Sequence, residues 1–103
     1  MNKSELERIY QILSDCRDNF SDAYYDYKIG SNAKIKNAAE RKMNSEISLA
    51  KRWVDNEEIY QIVTEGKTGY ERAVSIEGTF STDYFYNDME KILVRLKFFI
   101  NSL

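Results

Sequence analysis

At 103 residues, 43% of them apolar and none of them proline or histidine, the chain has material for one modest core and none for histidine-based triads, metal sites or general bases. Its single cysteine excludes an intrachain disulfide and a thiolate zinc site. The net charge of −2 selects no partner class, yet residues 28–52 hold seven bases and two acids while the rest of the chain holds eight bases and fifteen acids.

The first eight residues are polar and run straight into an amphipathic pattern, which reads as neither a secretory signal nor a membrane span. The expectation is a cytoplasmic protein, one helical-bundle domain over 1–103, with no membrane partner. Ser4 and Glu7 have the spacing of a capping box and predict the start of the first helix. Leu6, Ile9, Leu13, Cys16, Phe20, Ala23 and Tyr27 then follow an unbroken 3-4 spacing, the seam of a long bundle helix. Gly30 is read as its stop, since glycine tolerates the left-handed conformation that ends helices.

Ser31 or Asn32 can cap a second helix with Ile35, Ala39, Met43, Ile47, Ala50 and Val54 on its apolar face. The short connection predicts an antiparallel hairpin of helices 1 and 2. Asp55 and Glu58 repeat the capping spacing, so the chain either kinks there or continues through Ile59, Ile62 and Val63. Thr68 with Glu71 suggests a short helix ending near Gly78, against a rival extended reading of Tyr70 to Ile76. After Ser81 and Asp83 comes a last helix with Phe85, Met89, Ile92, Leu96 and Phe99 on one seam. The predicted architecture is all-α, an elongated bundle of four to five helices with long first and last members, each able to exceed twenty residues.

No catalytic, cofactor or metal motif is present. Gly66-Lys67-Thr68-Gly69 contains Gly-Lys-Thr, but Ile62 stands where a P-loop needs glycine, so the fragment reads as a turn. Asp15, Asp18, Asp22 and Asp26 form a row on one face of the first helix. Such rows can hold Mg²⁺ in small helical nucleoside-triphosphate pyrophosphohydrolases, but those need acidic pairs on two consecutive helices, and here the second helix is basic. The simpler reading pairs the row across the hairpin: Asp26 with Lys34 or Lys36, and Asp18 and Asp22 with Arg41 and Lys42. An aspartate row turned outward would instead imitate a phosphate backbone and suit the basic groove of a nucleic-acid-binding enzyme, the mode of a phage-encoded anti-defence inhibitor. Direct nucleic-acid binding through the basic helix 34–52 is the mirror alternative, opposed by a pI near 5.2.

Two features exceed the needs of a small core. The chain has eight tyrosines, and neighbours such as Tyr24 with Tyr25, or Tyr84 with Tyr86, point in different directions on a helix, so some belong at an interface. In the last helix Val94 and Phe98 form a second ridge away from the seam, destined either for cover by Trp53 to Val63 or for another chain. The reading reached is a non-enzymatic protein–protein interaction module, regulatory or inhibitory, acting by presenting helix faces. Its partner residues would be Tyr24, Tyr25, Tyr84, Tyr86, Val94 and Phe98. Asp15, Asp18, Asp22, Asp26, Lys34, Arg41 and Lys42 would steer the encounter, and a homodimer is expected. In general character the chain looks like the small accessory and inhibitor proteins of bacteria and their phages.

Overall fold

The computed structural model describes residues 1–65 and 78–103. Among these it is an all-α bundle: α1 Lys3–Ile29, α2 Ala33–Val54, α3 Glu57–Val63 and α4 Phe85–Asn101. The segment expected to form a short helix from Thr68 lies outside the described residues, as does the Gly66–Gly69 turn. The last helix has 17 residues rather than more than twenty, because the chain from Gly78 to Tyr84 forms turns before it.

α1 starts earlier than Ser4. Asn2 stands in extended backbone (φ −83°, ψ 172°) and its side chain accepts the Glu5 amide at 2.9 Å, so Ser4 already lies inside the helix and its capping box with Glu7 does not form. Asn32, not Ser31, caps α2, accepting the Ile35 amide at 3.0 Å. Gly30 ends α1 at φ −56°, ψ 130°, which is not the left-handed region. Glycine is needed there for space: a Cβ would stand 2.9 Å from the Asp26 carbonyl oxygen and 3.1 Å from the side chains of Ile35 and Lys36.

The chain breaks between α2 and α3. Asp55 keeps helical backbone and its carboxylate is held by Lys51 Nζ at 2.7 Å, so it cannot cap α3. Asn56 takes that role, accepting the amides of Glu58 and Ile59 at 3.1 and 3.3 Å. Glu58, released from any capping box, receives the Met1 ammonium at 2.7 Å and ties the start of α1 to α3. Neither Ser81 nor Asp83 caps α4 with its side chain. The Ser81 carbonyl accepts the Phe85 amide at 3.0 Å instead, and Thr79 Oγ1 donates to Asp88 Oδ2 at 3.3 Å.

Both α2 and α4 pack on α1 and run antiparallel to it. Tyr27 meets Lys36 across the hairpin with α2. Phe20 meets Phe85, and Tyr10 meets Lys97, along α4. α3 passes from α2 to α4, where Arg95 donates to the Glu65 carbonyl at 3.0 Å. Apart from Ala39, the buried apolar residues of the four helices form one cluster, including every α1 seam position from Leu6 to Ala23. The result is flat and elongated, 47 × 31 × 17 Å, with a radius of gyration of 14.6 Å; about 13 Å is usual for a compact chain of this length. In that shape each helix keeps one face toward solvent.

Candidate interaction surfaces

All six residues expected to meet a partner are exposed, but they do not share one face. Tyr24 and Tyr86 flank the α1–α4 junction. Tyr24 stacks on Phe20, with centroids 6.1 Å apart, and carries Lys28 Nζ 5.2 Å above its ring. Arg17 lies 5.9 Å from the centre of the Tyr86 ring and also pairs with Asp18 at 3.1 Å and Glu90 at 3.8 Å. Arg17 therefore organises this rim, a role that only the antiparallel packing of α4 on α1 reveals. Tyr84, just before α4, is exposed, while Tyr25 points away from the junction onto the outer side of α1.

Val94 and Phe98 stand on the outer face of α4, 69% and 77% exposed. Trp53 to Val63 does not cover them. Its Ile59, Ile62 and Val63 enter the core, and α3 meets α4 on the side of Arg95. Leu93, next to Val94, is buried. One face of α4 thus serves the fold and the opposite one holds an apolar ridge that the fold does not use.

The charged residues do not pair across the hairpin. Among the described residues no ion pair joins α1 to α2. Asp15 accepts from Gln11 Nε2 at 2.9 Å, Asp18 takes Arg17, and Lys36 lies over Tyr27. Asp22, Asp26, Lys34, Arg41 and Lys42 are exposed without an ion-pair partner among the described residues. The reason is angular. A turn of 100° per residue puts the aspartate row opposite Leu13, Cys16 and Phe20, so burying that seam turns the row outward. The same arithmetic puts Ile29, 60% exposed, beside Tyr25 on this strip, a neighbour visible in the spacing but absent from the six expected partner residues. Among the described residues no three carboxylate, thiol or imidazole side chains stand close enough to hold a metal ion. No described helix is long and apolar enough to cross a membrane.

Cys16 is enclosed between α1 and α2. Burial, with the Glu46 carboxylate adding to it, pushes its thiol from an ordinary value near 9 up to about 12. The thiolate is the reactive form, so native Cys16 is expected to resist thiol reagents at pH 8 and to label fully in denaturant. Because the folded value is raised, the unfolded chain ionises first, and this group's contribution to stability falls as pH rises above about 9. Rapid labelling of the folded chain would contradict this placement.

No protein-family model, curated protein or solved structure matches this chain.

Proposed function

We propose that the chain is a non-enzymatic protein-interaction module that works by occupancy, presenting helix faces to a protein partner. The observation that carries this reading is the Val94–Phe98 ridge on the outer face of α4, two large apolar side chains four residues apart that contribute nothing to the chain's own core. Tyr84 and Tyr86, near the other end of the same helix, supply the amphipathic side chains that interfaces favour. A second copy is one such partner: in an antiparallel pairing of two α4 helices, Phe98 of each would lie beside Val94 of the other, giving a two-fold dimer. The test is the mass in solution of the wild-type chain and of Phe98→Asp, by light scattering on a size-exclusion column. Loss of assembly with the fold intact supports the reading; an unchanged mass, together with unchanged binding to any protein partner, overturns it.

A second reading is favoured by the outward turn of Asp15, Asp18, Asp22 and Asp26. A one-sided row of carboxylates about one helical turn apart can occupy the basic groove of a nucleic-acid-binding enzyme and exclude its substrate. The expected result is salt-sensitive inhibition of such an enzyme, lost in Asp18→Asn with Asp22→Asn. Inhibition that the double variant retains would reject it.

A further inference from the structure

Two helix faces of opposite charge point outward from the hairpin without meeting each other. On α1 the strip from Asp15 to Ile29 carries the four aspartates Asp15, Asp18, Asp22 and Asp26 with Tyr25 and Ile29, and of the four only Asp18 is ion-paired among the described residues, to Arg17 at the strip's edge. On α2 the face opposite the buried Met43 and Ala50 carries Lys34, Arg41 and Arg52 and no acid, with Leu49 exposed at its margin. The bases on it, like Asp22, have no ion-pair partner among the described residues.

The geometry points to a head-to-tail contact in which the outer face of α2 of one copy lies on the outer face of α1 of the next. The spacing agrees. Asp15 and Asp22 are seven residues apart, as are Lys34 and Arg41, so both pairs recur after about 10.5 Å along a helix. A parallel alignment that sets Lys34 on Asp15 and Arg41 on Asp22 brings Leu49 level with Ile29, within one residue, and on the flank where Tyr25 stands. The apolar side chains then close over a contact whose direction the charges select. Because the two patches differ, each copy keeps one face open, and the assembly grows as a chain or closes as a ring instead of stopping at a two-fold dimer. Exposed pairs are individually weak, so the association is weak and salt-sensitive. It uses neither Val94 nor Phe98 and stands apart from the α4 contact.

The experiment is sedimentation velocity of the full chain at up to about 0.5 mM, where weak association is populated, in low and in high salt. It is done on wild type and on Phe98→Asp, which removes association through α4. In low salt the average mass of Phe98→Asp is expected to rise with concentration beyond a dimer, and high salt is expected to return it to monomer. Adding Lys34→Gln with Arg41→Gln, or Asp15→Asn with Asp22→Asn, weakens association at least tenfold while leaving the thermal melt unchanged. Mixing the two neutralised proteins restores a 1:1 complex that grows no further, since one intact pair of faces remains between them. A salt-independent mass, a monomer at every concentration, or neutralised variants that associate like their parent would overturn the proposal.

Discussion

Phe85→Ala is expected to cost the fold about 3–5 kcal/mol, the range for truncating a fully buried phenylalanine. Phe85 has no solvent exposure, and its ring lies 4.8 Å from Phe20 and 6.5 Å from Phe80. It therefore joins α1, α4 and the turn segment that delivers α4, and its loss would leave a cavity where the three meet. A chain of this size has only about 5–15 kcal/mol of stability in total. Urea titration followed by circular dichroism should show a large fall in midpoint with little change in slope. The half-buried Phe99 on the same helix provides the comparison: Phe99→Ala should cost distinctly less. Equal costs at the two positions would mean that the α1–α4 junction is not built around Phe85.

Phe98→Asp should have the opposite signature. Its side chain is 77% exposed, so the folded state loses little packing, and the stability change should stay within about 0.5 kcal/mol. Assembly should respond far more strongly. A charge placed at the centre of an apolar contact must be desolvated without a partner, and removing the ring also removes a well-packed anchor. We expect at least a hundredfold weakening of any complex formed through α4, with Val94→Asp following the same pattern. Light scattering reads the mass and circular dichroism reads the fold on the same samples. A variant that unfolds would place Phe98 in the core, against its exposure; one that assembles like wild type would show that the ridge is not the contact.

Most of the fold is legible because helices are written locally. The unbroken spacing from Leu6 to Ala23 identifies the buried face of α1, and Ala39, Met43, Ile47, Ala50 and Val54 do the same for α2. The caps are less legible, since Asn2 competes with Ser4 and Asn56 with Asp55, and all four side chains can accept an amide. The choice falls to backbone geometry: Asp55 is still helical and held by Lys51, so its neighbour caps α3. Ile35 shows a further limit. It has the right spacing for the α2 seam, yet it lies in the first turn, opposite the end of α1, and remains exposed.

The candidate surfaces divide in the same way. That Tyr24, Tyr25, Tyr84 and Tyr86 cannot all enter one core follows from helix geometry alone. Tyr25 falls among the aspartates by its spacing on α1, but only the packing of α4 on α1 sends Tyr86 to Arg17.

By itself the sequence determined the helical class, the hairpin of α1 and α2 and the residues that turn inward, because backbone hydrogen bonding and 3.6-residue periodicity act over a few neighbours. Tertiary structure alone decided that Val94 and Phe98 remain in solvent and that Tyr86 meets Arg17. Those outcomes depend on how many helices surround α4 and on which side each packs, and α1 and α3 together cover only one of its faces.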